Sequence, residues 1–498
     1  MRQPLLPDFN SLTRLPLLLT PQMENRSFDH MLGHLAQSDP RIDGPPAGAS
    51  NPVNPSSPTS PTVPAANDAI DGGPYDPPHD FDSITRQVFG FDKEMNATAA
   101  VTMDGFVYAA DVAHGTGIDN TFVMSLHNST NLPILSTLAT EFAVFDHWHC
   151  SCPCPTNPNR EFMMSGTSHG MIENTLPTEG FPQRTHFKFL EERNFSWSIY
   201  YGDDPWMAPA FVDLRTPSSL ARIQQMPAFY AALSNGTLAN YTLIQPRMST
   251  SKDGISNWQH PDNSVAAGEA LIASIYTALR NSTYWDETLF LITYDEHGGF
   301  YDHQPPAQTG VPAPDSIIGE NGFKFDRLGV RIPTVAVSPL IAKGTVVNAP
   351  TPAQGGPTSQ FDATSIIATA NKIFGISEHM TARDEWAATF TDILGTVPRA
   401  LADTPDLPVV PPLSDAAIEA EASILLNDHH LDSLDLLCAL VPAPAHEVHA
   451  ACAETPRDGA VHAHLAESAF GLRQMHFADA SAALWKAYTA SVISKSSS

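Results

Sequence analysis

Residues 289–303 read LFLITYDEHGGFYDH. A short apolar run of this kind has the character of a strand buried on both faces. It ends on two adjacent carboxylates, Asp295 and Glu296, followed by His297 and the glycine pair 298–299. Just upstream, SVAAGEALIASIYTALRN at 264–281 keeps apolar residues at helical intervals, so a helix hands the chain to a buried strand. Working outward, VRIPTVAVSPLIAKG at 330–344 reads as another strand and SIIATANKIFG at 365–375 as another helix. Towards the N-terminus, LPLLLT at 15–20 is strand-like and runs into MENRSFDHMLGHL, whose later residues have helical spacing. LPILSTLATEFAVFDHW at 132–148 reads as a helix leading into a strand, and a further helix is expected to begin near Asn159. Strands alternating with helices predict an α/β fold, a central sheet with helices on both faces.

Segments outside that alternation divide the chain. Residues 38–78, rich in Pro, Ser, Gly, Asn and Asp, are expected to form a surface excursion within a domain spanning 1–400. A Pro-rich tether at 401–412 leads to a helical, Ala-rich C-terminal extension at 413–498.

The chain has 498 residues, 26 Lys+Arg against 54 Asp+Glu, and a formal charge of −28. That balance repels a phosphate backbone and argues against a nucleic-acid partner. No stretch reaches the ~18 to 20 consecutive apolar residues of a membrane span, so a soluble protein is expected. Contact with a membrane surface stays open. No signal peptide is read in the first 21 residues, yet Asn25, Asn96, Asn128, Asn194, Asn235, Asn240 and Asn281 each head a glycosylation sequon. They tilt the expectation towards a secreted or endomembrane-lumen glycoprotein. Of the five cysteines, Cys438 and Cys452 allow a disulfide. Cys150, Cys152 and Cys154 lack the spacing of a zinc knuckle and read as structural thiols.

Ligands of open α/β sheets bind outside the carboxyl ends of the strands. Three polar clusters fall there: Glu24 with Asn25, Thr156 through Arg160, and Asp295 with Glu296. Adjacent carboxylates repel unless a cation or proton intervenes, so this oxygen-rich set predicts one divalent metal ion of unassigned identity. An Asp capping a turn beside a solvated Glu would explain YDEHGG alone equally well. Thr156 is the candidate nucleophile, since a hydroxyl beside a cation and a helix N-terminus is suited to attack on phosphate. Asn159 and Arg160 are the candidate substrate-binding residues. His79, His260 and His297 are candidate phosphate ligands or general acids.

Together, ENRSFDHMLG at 24–33, DPPHDFDSITRQVFG at 76–90, EFAVFDHWHCSCPCPTNPNR at 141–160, TSHG at 167–170 and HPDNSVAAGE at 260–269 resemble a known family. WDETLFLITYDEHGGFYDH at 285–303 and FKFDRLGVRIPTVAVSPLIAKGTVV at 323–347 extend the match in the same order. It is the phosphoesterase family of bacterial phosphatidylcholine-type phospholipases C, plant non-specific phospholipases C and related acid phosphatases, with the plant type nearest. The resemblance implies an alkaline-phosphatase-like fold and hydrolysis of glycerophospholipids to diacylglycerol and a phosphorylated head group through a phosphothreonine. It implies that Glu24, Asn25, Asp295 and Glu296 form the metal cluster, Thr156 the nucleophile, and His79 and His260 active-site histidines. The alternatives are an acid phosphatase of soluble monoesters and a non-catalytic binding protein of the same fold. The chain departs from the family pattern in several places. Pro21 and Gln22 are expected to shorten the first strand, Trp258 and Gln259 replace the acidic residues that usually pair with the histidine matching His260, Ala363 replaces a histidine, and Asp104 stands where Asn is common.

Overall fold

The computed structural model describes residues 17–90, 100–115, 119–424, 428–441 and 474–496. Its centre is an eight-stranded sheet, for which we number the strands β1 (Leu17–Met23), β2 (Ala143–Phe145), β3 (Trp197–Tyr201), β4 (Ile223–Gln225), β5 (Tyr241–Gln245), β6 (Thr288–Tyr294), β7 (Thr334–Val337) and β8 (Thr345–Val347). Their spatial order is β8-β2-β7-β6-β1-β5-β3-β4. β7 runs antiparallel to β2 and β6, and the remaining pairings are parallel. Every residue of β5, β6 and β7 is buried. Alternate side chains point to opposite faces, so both faces are covered and the run LFLIT needs no polar alternation.

The helices that bear on function are α1 (Phe28–Leu32), α2 (Phe81–Phe89), α3 (Pro133–Glu141), α4 (Thr156–Ser165), α5 (Val265–Arg280), α6 (Thr364–Ile373), α7 (Asp415–Ala422), α8 (Asp428–Leu440) and α9 (Gln474–Ser496). α4 begins at Thr156, three residues before the expected Asn159. Pro155 supplies its extended N-cap and presets the chain for the first turn. The glycine following α4, Gly166, takes φ +77° and lets its N–H return to Phe162 O.

Two expectations about strands change. β1 is not shortened: it runs through Pro21 and Gln22 to Met23, in the centre of the sheet. Pro21 is registered against Ile244 of β5, while the pairs on the β6 side pass from Leu19–Phe290 to Gln22–Thr293. A parallel strand directs successive N–H groups to alternate sides, so one missing donor does not end the ladder. The segment 330–344 contributes only the four residues of β7.

The excursion at 38–78 holds a small hairpin, Ser50–Pro52 against Thr62–Pro64. Its Val63 enters a second apolar cluster with Ile84, Val88, Phe106 and Val123. The 401–412 segment lies along α5, where Tyr276 Oη donates to Pro405 O at 2.8 Å and Arg280 Nε to Thr404 Oγ1 at 3.0 Å. Beyond it, α8 packs against α9, and Leu434, Leu437, Leu484 and Trp485 join the main core. Among the described residues no helix is long and apolar enough to cross a membrane.

Candidate active site

β1 and β6 are parallel neighbours with Met23 beside Tyr294, so the two acidic pairs leave the sheet side by side. Asn25 takes φ +54°, a left-handed turn that Asn tolerates, and its N–H donates to Asp295 Oδ1 at 3.0 Å. Gly298 closes the corner: its N–H donates to Glu296 Oε2 at 2.7 Å, and a Cβ there would lie 2.1 Å from Asn25 O.

At the first position of α4, Thr156 Oγ1 reaches Glu24 Oε1 at 3.0 Å and Asn25 Oδ1 at 3.2 Å. Glu24, Asn25, Thr156 and Glu296 have no exposed surface. Burial holds the Glu24 carboxyl well above its usual range, against the opposing pull of Arg160. The amide oxygen of Asn25 faces acceptors, lying 2.5 Å from Glu296 Oε1 and 3.1 Å from Glu24 Oε1. Turning the amide over relieves that crowding, and so would a cation among these oxygens. Glu24 Oε1, Asn25 Oδ1 and Glu296 Oε1 therefore fit a hard divalent ion.

Asp295 is differently employed. Its Oδ1 accepts from Asn25 N and from Glu296 N at 2.8 Å, and its Oδ2 accepts from Arg160 Nε at 3.0 Å. It anchors the corner on which the other oxygens stand. Arg160 is equally committed, with Nη1 bonded to Gln22 and Gln245 and Nη2 to the second oxygen of Glu24, while its guanidinium stacks over Trp206 at 4.2 Å. Asn159 binds the backbone of residues 152, 154 and 155, fixing the loop before Thr156. The side-chain contacts of both expected substrate binders are thus made within the protein.

His79 Nε2 is 3.3 Å from Asn25 Nδ2 and 3.9 Å from Glu296 Oε1. Burial alone would lower its pKa, but Glu296 and Asp76 outweigh it and raise it to about 9. His260 stacks on Trp258 with ring centroids 4.8 Å apart, and bonds Asp262 at 2.5 Å through Nδ1. Its Nε2 is 3.5 Å from Asp76. Against the burial penalty, these two carboxylates raise its pKa well above the usual value. The missing acidic residues before His260 are therefore made good by Asp262, two positions later, and by Asp76. Gln259 instead joins Tyr294 and Val265 O. His297 bonds Gln87 at 2.8 Å and lies 3.3 Å from Glu296, with no recorded contact to Thr156. Ala363 stands at the N-terminal cap of α6 and makes no side-chain cap bond.

Asp76 and Asp262 sit inside the quoted motifs DPPHDF and HPD, where an acidic neighbour of each histidine was the available signal. A third histidine also follows an acidic residue, Asp428, but stands outside the quoted motifs. His429, on α8, places Nε2 at 3.4 Å from Thr156 Oγ1.

Cys152 and Cys154 are bonded to each other, which corrects the reading of three thiols, and Cys150 is buried and free. Cys452, the expected partner of Cys438, and the sequon at Asn96 lie outside the described residues. Asp29, Asp302 and His303 bring ligand atoms within 4.8 Å of one another, but Arg331 already bridges both aspartates at 2.9 Å. The guanidinium offsets one of the two carboxylate charges and His303 Nδ1 lies 2.7 Å from Asp29, so the cluster stays compatible with a metal ion.

The chain matches the phosphoesterase family over residues 21–377. It is 40% identical to non-specific phospholipase C3 of Arabidopsis thaliana over 432 residues, 85% of this chain and 80% of that protein. It is also 40% identical to non-specific phospholipase C1 of the same plant over 382 residues, 74% and 68% of the two chains. A solved protein of the alkaline phosphatase superfamily from Vibrio parahaemolyticus is similar at 12% identity and a TM-score of 0.30, covering 52% of this chain and 63% of that one. At that score the likeness carries no argument.

Proposed function

The chain belongs to the phosphoesterase family, and on that premise we propose that it is a phospholipase C-type hydrolase acting through a phosphothreonine at Thr156. The observation that carries the reading is the Thr156 hydroxyl, held at 3.0 Å from Glu24 at the N-terminus of α4. By donating to Glu24 or Asn25, the hydroxyl turns a lone pair towards an incoming phosphorus. Oγ1 bonds to phosphorus as its proton passes to Glu24, while the bond to the glyceryl oxygen breaks and that oxygen takes a proton from the His79 and His260 pair. Diacylglycerol leaves, and Thr156 is left carrying the phosphorylated head group. Water then attacks phosphorus and gives a proton to that histidine pair, while the bond from phosphorus to Oγ1 breaks and Oγ1 recovers its proton from Glu24, releasing the phosphorylated head group.

Glu24, Asn25 and Glu296 would hold the divalent ion, which supplies charge neutralisation at the phosphoryl oxygens when bound. The cationic imidazoles of His79 and His260 add to that among buried side chains. A secreted or endomembrane-lumen setting, with glycans at exposed Asn194, Asn235 and Asn281, accords with the sequon distribution. Asn25 is wholly buried and stays unmodified in this reading.

A second reading, an acid phosphatase of soluble monoesters, is favoured by the enclosure of Thr156, which leaves little room for a lipid. One comparison separates them: purified protein with phosphatidylcholine, phosphatidylethanolamine or para-nitrophenyl phosphate, with and without chelator, alongside Thr156→Ala. Diacylglycerol released by the wild type alone supports the phospholipase. Turnover of the small ester only supports the phosphatase, and Thr156-independent turnover, or none, defeats both.

A further inference from the structure

The residues touching Thr156 Oγ1 are unbalanced for phosphate chemistry. Glu24 presents an oxygen to it, and Asn25 an amide that faces it with oxygen or, turned over, with nitrogen. Arg160, the nearby guanidinium, has Nε, Nη1 and Nη2 bound to Asp295, Gln22, Gln245 and Glu24. A phosphoryl group arriving at Oγ1 brings further negative oxygens, and a donor in contact with Oγ1 itself would add to the neutralisation supplied by His79 and His260. Among the described residues, the remaining recorded side-chain partner of Oγ1 is the imidazole of His429, with Nε2 at 3.4 Å from it and 3.7 Å from Glu24 Oε1.

This imidazole is firmly held. Its ring lies 5.3 Å from that of Trp206, 6.0 Å from His260 and 6.1 Å from Trp258, and its side chain is 4% exposed. Its Nδ1 is buried with no partner among the described residues. The helix that carries it is fastened by His430 Nε2 at 3.2 Å from Met248 O and by Ser433 Oγ donating to Asp204 Oδ1 at 2.7 Å. Ser481 of α9 bonds the other oxygen of Asp204. An imidazole so placed has a fixed geometry relative to the nucleophile, the condition for useful transition-state contact.

We propose that His429, delivered by the C-terminal helices, is a catalytic residue that contacts the phosphoryl group at Thr156. The inference rests on the reading of Thr156 as nucleophile. An imidazole carries an N–H in either protonation state, so the contact requires no change of charge. It also makes the C-terminal helices part of the active site.

The test uses the full chain with His429→Phe, which keeps ring packing without a donor, and His429→Gln, which restores an N–H. The Phe variant is expected to lose about 100-fold or more in kcat, the cost of one donor to a developing oxyanion, with Tm little changed. The Gln variant is expected to recover about tenfold of that loss. Independently of turnover, titrating inorganic phosphate into protein carrying 15N-histidine should move an imidazole signal that is absent from His429→Gln. A Phe variant within twofold of wild-type kcat, or a His429 signal unmoved by saturating phosphate, overturns the proposal. If the Phe variant does not fold, the Gln variant and the phosphate titration decide. Full activity in Thr156→Ala would defeat the nucleophile reading alone, and the phosphate titration would still judge the His429 contact.

Discussion

Arg160 and Asp295 meet at 3.0 Å between Nε and Oδ2, with neither side chain exposed. The same guanidinium grips Glu24, so one side chain joins the ends of β1 and β6 beside Thr156. Removing one partner of a buried ion pair strands the other and costs about 3–5 kcal/mol. Arg160→Met should therefore lower unfolding free energy by about that much and abolish turnover. Arg160→Lys, which cannot fork between two carboxylates, should remain folded with kcat reduced about 10- to 100-fold. Denaturant unfolding and steady-state kinetics check both.

Gly298 and Gly236 make a matched pair. Both have positive φ, +62° and +69°, but a Cβ at Gly298 would collide with the Asn25 backbone, while Gly236 has open space. Gly236→Ala should cost about 1 kcal/mol, the left-handed penalty alone. Gly298→Ala should cost about 3 kcal/mol or more and displace Asn25, with activity falling at least tenfold. Comparable Tm losses in the two variants would contradict this account.

Glu421 docks α7 on the catalytic body, its carboxyl accepting from Thr250 Oγ1 and Ser264 N, each at 2.7 Å. Burial, with Asp71 and Asp262 nearby, raises its pKa to about 7 despite those bonds. The folded value lies above the unfolded one. Its contribution to stability is thus fully present below the unfolded pKa of about 4.3 and is lost as pH rises through 7. Wild type should lose at least about 1 kcal/mol relative to Glu421→Gln between pH 4.5 and 8. Parallel Tm profiles of the two proteins would refute the assignment.

Leu437 of α8 has no exposed surface and belongs to the main core. Leu437→Ala should cost about 2–5 kcal/mol and shift a single cooperative unfolding transition, since α8 and the sheet share that core. A separate early transition for the C-terminal helices would show that they fold independently.

The polar clusters at the ends of β1 and β6 were legible because each is local: an apolar run ends and the acidic and amide residues follow at once. Thr156 was legible for the same reason, although α4 starts on it rather than at Asn159. Pro21 misled, because whether a missing N–H matters depends on which side of the strand the ladder needs it. Arg160 and Asn159 look like substrate ligands in sequence, and only packing shows how many of their hydrogen bonds are made within the protein. The charge partners of His260 were misplaced because proximity through a turn, Asp262, and across the fold, Asp76, replaces the expected neighbours.

The amino-acid sequence alone established an α/β chain with acidic, amide and hydroxyl groups gathered at strand ends, because strand period, helix period and turn chemistry are short-range properties. Tertiary structure alone decided which oxygens face one another, which carboxylate is spent on Arg160, and that His429 stands beside Thr156 across 273 residues of chain. Contacts at that separation are fixed by how helices pack on the sheet, and no local pattern encodes them.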